Sequence, residues 1–225
     1  MGGEKIMIIF SIIYLLFLCS YFVTRVGKNK KYRIINKYIL ASMYLVYAIV
    51  MFFIIDLDVY HYIMLMGLFF TYLGDILLVF DVKKGGLSFL LSNLIFATLY
   101  IVLLNDYSIS FFRYFWIFII WAIIIVIGII LINRYPNVIK LEKMKYPMII
   151  YLSSITLHGL LGLVTLTFIN VTPIIVMGIG SILFMISDYI LTIDRFIIKN
   201  NKWIIRSNSL TYFIGLLLIV LSLGF

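Results

Sequence analysis

The sequence predicts an all-α polytopic membrane protein with eight transmembrane helices. Of its 225 residues, 65% are hydrophobic and only 12% are charged, and this charged fraction is about half that of a typical soluble domain. The mean hydropathy is +1.19, and apolar stretches long enough to cross a bilayer follow one another with short connections. Because no linker or low-complexity segment divides the chain, we expect residues 1–225 to form a single integral membrane domain.

Apolar stretches of transmembrane length define the eight predicted helices, since a span needs roughly 20 apolar residues. Pro136, Pro147 and Pro173 lie at or between the proposed ends and none falls in the middle of a span, which supports the boundaries. The predicted spans are 6–24, 35–55, 59–80, 87–104, 114–132, 147–169, 173–193 and 207–225.

The basic residues predict the orientation in the membrane. Sixteen of the 18 Lys and Arg residues fall at one side of the arrangement, and only Lys5 and Arg113 fall at the other. By the positive-inside rule the basic side is cytoplasmic, so both termini are expected outside, in a multi-pass protein of the cell membrane. The sixteen cations are Arg25, Lys28, Lys30, Lys31, Arg33, Lys37, Lys83, Lys84, Arg134, Lys140, Lys143, Lys145, Arg195, Lys199, Lys202 and Arg206.

The net charge of +9 would suggest a nucleic-acid partner in a soluble protein. In a membrane protein it instead indicates topology and contact with anionic lipid headgroups, so we expect the lipid bilayer as a partner and no nucleic acid. No oligomeric state is predicted.

Two of the predicted spans carry a carboxylate within an otherwise apolar stretch. Asp75 lies in GLFFTYLGDILLVFD, residues 67–81, and Asp188 lies in GSILFMISDYILTIDRF, residues 180–196. An ionisable group within a span is costly and is a functional-site candidate by default. In both stretches a Gly precedes the Asp by eight residues, and a Leu and a second Asp follow it by three and six. This pattern favours two parallel four-helix repeats, with the site between the halves.

The two carboxylates are also expected at one depth. Each lies six residues, or about 9 Å, before the Asp at the cytoplasmic end of its span. Asn93, Tyr151 and Tyr212 fall near the same level. We therefore predict a polar layer in the inner third of the bilayer, facing a cleft that opens toward the cytoplasmic side.

Paired carboxylates in a low-dielectric site suggest acid–base chemistry. Both cannot ionise cheaply, which leaves a neutral acid beside a carboxylate base. Such a pair could protonate a substrate and activate a water without a metal, a cofactor or a covalent intermediate. The other interpretation is that each Asp only hydrogen-bonds a neighbouring helix.

His158, near mid-membrane, could relay protons or be a neutral residue bonded to a neighbouring hydroxyl. With Cys19 alone and two His residues, neither a disulfide nor a His-rich metal site is expected.

The seventh span resembles a known family. Phe184, Ser187, Asp188, Leu191, Arg195 and Phe196 form the pattern F-x-x-S-D-x-x-L-x-x-x-R-F. Gly74-Asp75 in the third span, Pro147 with Tyr151 in the sixth and Thr211-Tyr212 in the last accompany it. Together these motifs, spread over nearly the whole chain, resemble the lysoplasmalogenase family of eight-helix membrane proteins, also called YhhN-like.

The resemblance implies hydrolysis of the vinyl ether bond of lysoplasmalogens. The products would be a fatty aldehyde and a glycerophospho-ethanolamine or glycerophosphocholine, with Asp75 and Asp188 catalytic and their acid and base roles open. A lysophospholipid substrate is the expected partner of the site, with basic residues at the inner edge holding its phosphate. Lys37 or Arg195 could hold a lipid phosphate. The other interpretation is that Arg195 and Asp194 form an interfacial pair that seats the end of the helix. The candidate substrate-binding residues are Lys37, Asn93, Tyr151, Ser187, Arg195 and Tyr212.

Three positions depart from the family pattern. The family usually has His where this chain has Asn93 and Gln where it has Leu216, and Pro often follows the residue equivalent to Lys37, where this chain has Tyr38.

Two other function classes stay open at the level of sequence. An intramembrane aspartyl protease also pairs Asp residues from two helices, but its G-x-G-D motif is absent because Tyr72-Leu73 precedes Gly74-Asp75. The alternative is a proton-coupled transporter or a lipid-binding membrane protein whose carboxylates carry protons.

Overall fold

The regular structure of the described residues is entirely helical. The computed structural model describes residues 2–27, 29–55, 58–139, 141, 144–198 and 201–224. Lys28, Lys140, Lys143 and Lys199, four of the cations behind the predicted orientation, lie outside these ranges. The helices are α1 (Gly2–Thr24), α2 (Lys30–Phe52), α3 (Val59–Phe80), α4 (Val82–Asp106), α5 (Phe111–Tyr114), α6 (Trp116–Arg134), α7 (Lys145–Phe168), α8 (Thr172–Phe196) and α9 (Lys202–Leu221), followed by a 3-10 turn at Ser222–Gly224.

Eight helical segments of the described chain are long and apolar enough to cross a membrane, as the sequence predicts. The short helix α5 and the longer α6 are separated only at Phe115 and together make the fifth segment, Phe111–Arg134. The protein is therefore an all-helical, multi-pass membrane protein.

Helices α2, α4 and α9 begin five residues earlier than the hydropathy predicts. Each starts at a side chain that caps its first backbone N–H groups. Asn29 accepts from the N–H groups of residues 31 and 32, Asp81 from those of 83 and 84, and Asn201 from those of 203 and 204. Because caps of this kind can start a helix in a polar segment, the basic residues just before the apolar stretches are helical.

The spans pack as a ring with one helix outside it. Helices α1, α2, α3, α4, α7, α8 and α9 contact one another in that order, and α9 returns to α1 and α2. Helix α6 packs on the outside of α7, and Ile117 is its one buried residue. The contacts α1–α2, α2–α3 and α3–α4 have the same order in the chain as α6–α7, α7–α8 and α8–α9. In a two-repeat arrangement α6 would correspond to α1 and α4 to α9. The described residues show a contact between α1 and α9 but no extensive contact between α6 and α4.

Glycines allow the closest helix approaches. A Cβ at Gly180 of α8 would lie 2.6 Å from the carbonyl oxygen of Gly215 on α9, and a Cβ at Gly215 would lie 2.8 Å from that of Gly180. A Cβ at Gly178 would lie 2.9 Å from the carbonyl oxygen of Gly162 on α7. Small residues let membrane helices pack backbone to backbone, and these contacts hold α8, which carries Asp188, against α7 and α9.

The Gly180–Gly215 contact gives the first testable prediction. We expect Gly180→Ala to lower the free energy of unfolding by about 1–3 kcal/mol, because its methyl group would overlap backbone atoms that cannot rotate away. The measurement is the thermal unfolding midpoint in detergent. Gly128→Ala on α6 is the matched control, since its Cβ would meet no atom within 4 Å. An unchanged midpoint for Gly180→Ala would contradict the close packing of α8 on α9.

Candidate active site

A cleft of about 730 Å³ contains both intramembrane carboxylates. It lies at the end of the bundle where α3 and α8 finish and α2, α4, α7 and α9 begin. Asp75 of α3 and Asp188 of α8 both line it, although only 1% and 3% of their surfaces are exposed. The structure thus brings the two sequence-predicted catalytic residues to one cavity.

Asp75 is surrounded by donors. The Lys37 ammonium lies 3.0 Å from Oδ1 of Asp75 and also donates to its backbone carbonyl at 3.1 Å. The hydroxyls of Tyr212 and Tyr44 donate to Oδ2 at 2.8 Å and 3.2 Å. The carboxyl group of Asp75 therefore has three donors, and one of them, Lys37, is a cation.

Asp188 has a different set of neighbours. The hydroxyl of Tyr151 donates to its Oδ2, but no ion pair to Asp188 forms within the described part of the chain. Tyr151 comes from α7, so the contact joins α7 to α8. A buried carboxyl without a paired cation is costly to ionise, so the two carboxyls of the cleft differ in the charge beside them.

The walls of the cleft differ in polarity. Basic side chains come mainly from the end of α1, the start of α2 and the end of α8, and apolar side chains come mainly from α3, α4 and the start of α7. The basic lining residues are Arg25, Lys30, Arg33, Lys37, Lys83 and Arg195. The apolar lining residues of α3, α4 and α7 include Leu78, Val79, Val82, Leu87, Phe89, Leu90, Pro147, Met148 and Ile150.

Four of the six predicted substrate-binding residues line the cleft, namely Lys37, Tyr151, Arg195 and Tyr212. Asn93 and Ser187 do not. Asn93 is fully buried, and its amide group contacts Ser154 and His158. The hydroxyl of Ser187 donates to the carbonyl of Phe184. The backbone carbonyl of Ser187 accepts a hydrogen bond from the side chain of Asn208 on α9 at 2.7 Å, so Ser187 contributes to helix packing.

His158 belongs to a buried polar chain between α4, α7 and α8. Its Nδ1 lies 3.3 Å from Oδ1 of Asn93, and its Nε2 lies 2.9 Å from Oγ of Ser181. Because the amide oxygen of Asn93 can only accept, Nδ1 carries the proton and Ser181 donates to Nε2. The ring of Phe96 stacks on the imidazole with centroids 5.0 Å apart. This arrangement fits the neutral, satisfied histidine of the two sequence interpretations.

Tyr44 is a site residue that the sequence did not single out. It is fully buried and donates to Asp75, but nothing distinguishes it by composition among 17 tyrosines. The spacing from Lys37 could have identified Tyr44. It follows Lys37 by seven residues, or two helical turns, and so lies on the same face of α2.

Among the described residues, no group of three or more His, Cys, Asp and Glu side chains could hold a metal ion. The polar groups that line the cleft are two carboxyls, basic side chains, tyrosine hydroxyls and the side chains of Thr192, Asn208 and Ser209.

Comparison with protein families agrees with the motifs of α3 and α8. The model of the YhhN family matches residues 33–223, which is most of the chain. The protein belongs to the YhhN family. This is the lysoplasmalogenase-like family that the α8 motif resembles, and the match includes both Asp75 and Asp188 of this YhhN chain. No curated protein and no solved structure matches the chain.

The Lys37–Asp75 ion pair of this YhhN protein leads to a prediction about the free energy of unfolding. The Lys37 side chain is 17% exposed and that of Asp75 is 2% exposed, so Lys37→Met would leave a carboxylate buried without its cation. We expect a loss of about 3 kcal/mol in unfolding free energy, measured as a lower unfolding midpoint in detergent.

The double variant Lys37→Met/Asp75→Asn is the control for that prediction. It removes both charges, so we expect most of the lost stability to return. Additive losses from the two substitutions would contradict the direct ion pair.

Proposed function

We propose that this protein is a membrane hydrolase that cleaves the vinyl ether bond of lysoplasmalogens by metal-free acid–base catalysis. The observation that carries the proposal is the presence of two buried carboxyls in unlike environments in one cleft, in a chain that belongs to the lysoplasmalogenase-like YhhN family. The products are a fatty aldehyde and a glycerophospho-ethanolamine or glycerophosphocholine.

The shape of the substrate matches the two walls of the cleft. In a lysoplasmalogen the vinyl ether joins a polar glycerophosphate to an apolar alkenyl chain. The cleft has basic side chains mainly on α1, α2 and the end of α8, and apolar side chains mainly on α3, α4 and α7. A substrate with its headgroup toward the first set and its chain toward the second would bring the vinyl ether to the carboxyls that line the same cleft.

The unlike neighbours of the carboxyls assign their roles in the proposed mechanism. Asp75 is paired with Lys37 and accepts from two tyrosines, so it is the carboxylate. Asp188 lacks a paired cation in the described structure and is the protonated acid. Tyr151 holds its carboxyl group through Oδ2.

In the first step Asp188 transfers its proton to the vinyl carbon that is not bonded to oxygen. This leaves an oxocarbenium ion, which the negative charge of Asp75 stabilises. Water adds to the carbon beside the oxygen and gives its proton to Asp75, forming a hemiacetal. A carboxylate is a sufficient base here, because water bound to an oxocarbenium ion is strongly acidic.

In the second step the hemiacetal collapses. Asp188, now a carboxylate, takes the proton of the hemiacetal hydroxyl, and Asp75 protonates the departing glyceryl oxygen. The net reaction consumes one water, releases one aldehyde and one alcohol, and returns both carboxyls to their starting states.

The proposal places the cleft on the cytoplasmic side of the cell membrane. The basic residues that line it belong to the side that the positive-inside rule assigns to the cytoplasm. The substrate would then come from the inner leaflet.

The test is aldehyde release by purified protein from lysoplasmalogen and from an ester-linked lysolipid, with and without a chelator. We expect chelator-resistant release from the vinyl ether alone. Asp75→Asn and Asp188→Asn should each lower kcat by at least about 100-fold, since each removes a proton-transfer group.

Asp81→Asn is the matched control for those variants. Asp81 caps α4 at the same end of the bundle and does not line the cleft, and Asn is also a good cap. We expect it to retain activity. Near-normal turnover by either intramembrane variant, or loss of activity with the chelator, would contradict the proposed mechanism.

A further inference from the structure

The cleft carries more positive charge than its carboxylates balance. Six basic side chains line it against Asp75 and Asp188. Lys37 is paired with Asp75, and the other five make no ion pair within the described part of the chain. Charges held together in a partly enclosed, low-dielectric cleft repel one another, so the arrangement favours binding of an anion.

Arginines provide three of these five cations. Arg25, Arg33 and Arg195 are all partly buried, whereas Lys30 and Lys83 are exposed. A guanidinium group offers several N–H donors in a plane and binds phosphate oxygens in pairs. The partly buried set is therefore suited to a phosphate group.

Arg25 is held in position by its neighbours. Its Nε donates to Oγ of Ser209 on α9 at 2.8 Å, and its guanidinium lies 5.9 Å from the ring centroid of Tyr21. These contacts use one N–H group and leave the terminal nitrogens for a ligand. Fixing a side chain before the ligand arrives lowers the entropic cost of binding.

Arg195 lines the same cleft as Arg25. The nearby carboxylate of Asp194 does not neutralise them by contact, because it forms no ion pair in the described structure and its buried Oδ1 has no hydrogen-bond partner there. The positive charges of Arg25 and Arg195 therefore line one cleft, and neither forms an ion pair in the described structure.

The position of Arg195 relative to Asp188 suits a glycerophosphate. Arg195 follows Asp188 by two turns of α8, about 10 Å along the axis, and helical side chains lean toward the N-terminus. Because an Arg side chain is longer than an Asp side chain, the lean brings the guanidinium nearer to the level of the carboxyl than the 10 Å spacing of the two residues. In a lysoplasmalogen the phosphate is one glycerol away from the vinyl ether, roughly 6 Å for single bonds of about 1.5 Å.

We propose that Arg25, Arg33 and Arg195 form a subsite for the phosphodiester of the substrate headgroup, and that this subsite selects phosphate-bearing lipids over neutral ones. The identity of the cleaved bond rests on the function proposed above. The sequence analysis considered Lys37 or Arg195 for this task. Lys37 is already bound to Asp75, so the role falls to Arg195 with Arg25 and Arg33.

The kinetic test compares two substrates that differ only in the phosphocholine group. A 1-alkenyl glycerophosphocholine and a 1-alkenylglycerol carry the same vinyl ether. We expect the protein to cleave the first with kcat/KM about 10- to 100-fold higher, the range for charge-assisted hydrogen bonds. Arg25→Gln and Arg195→Gln should each reduce that preference, measured as the ratio of the two kcat/KM values, and the unfolding midpoint in detergent shows whether each variant is folded.

Two further variants sharpen the kinetic test. Arg195→Lys keeps the charge but loses the paired donors, so we expect a partial loss of preference. Arg134→Gln is the matched control, because Arg134 is exposed on α6 and does not line the cleft. Equal turnover of both substrates by the unaltered protein, or an equal loss on both in the variants, would overturn the subsite.

A binding test decides the subsite even if no substrate is cleaved. A 1-alkyl glycerophosphocholine and a 1-alkylglycerol have no vinyl ether, and their affinities can be measured in detergent by thermophoresis. We expect the phosphate-bearing lipid to bind at least about 10-fold more tightly, and Arg25→Gln and Arg195→Gln to remove the difference. Failure of catalysis with this binding result would refute the proposed function and leave the subsite supported. Equal affinities would refute the subsite.

Competition identifies the source of the phosphate. We expect water-soluble glycerophosphocholine to compete with the lipid and inorganic phosphate at equal ionic strength to compete less. Competition by inorganic phosphate alone would indicate a site for the free anion and would overturn a headgroup subsite.

Discussion

The buried ion pair between Lys37 and Asp75 holds the cleft together. Lys37 comes from α2 and Asp75 from α3, and Tyr44 of α2 and Tyr212 of α9 donate to the same carboxylate. Three helices from both halves of the chain therefore meet at one charged group. Within a bilayer such a group must find its partners inside the protein. The need to satisfy Asp75 helps to fix how α2, α3 and α9 pack.

The same pair makes the two carboxyls unlike. Asp75 has a cation beside its carboxyl group, whereas Asp188 accepts a hydrogen bond from a tyrosine and has no paired cation among the described residues. Acid–base catalysis needs this difference, because one group must carry a proton while the other does not. The proposed mechanism depends on neighbours more than on the carboxyls themselves.

Much of the fold follows from the sequence because bilayer thickness imposes a length on each apolar stretch. The eight spans and the two intramembrane Asp residues are read directly from hydropathy. Hydropathy does not predict where α2, α4 and α9 start, because side-chain caps in polar segments set these helix starts. Depth also has limits as a guide. Asn93 was predicted at the level of Asp75, but it is directed toward His158 and Ser154, since depth does not specify which helix face a residue occupies. For the same reason the sequence could not distinguish Tyr44 from the other tyrosines.

The origin of the proton on carbon tests the central claim most directly. The protein is incubated with lysoplasmalogen in D₂O, with borohydride present to trap any aldehyde before it exchanges. If a fixed carboxylic acid protonates the vinyl carbon, the resulting alcohol carries one deuterium on the carbon next to the hydroxyl-bearing carbon, in a single configuration. Hydrolysis by mineral acid is the control and gives both configurations. An alcohol without deuterium at that carbon, or with both configurations in equal amounts, would contradict protonation by Asp188.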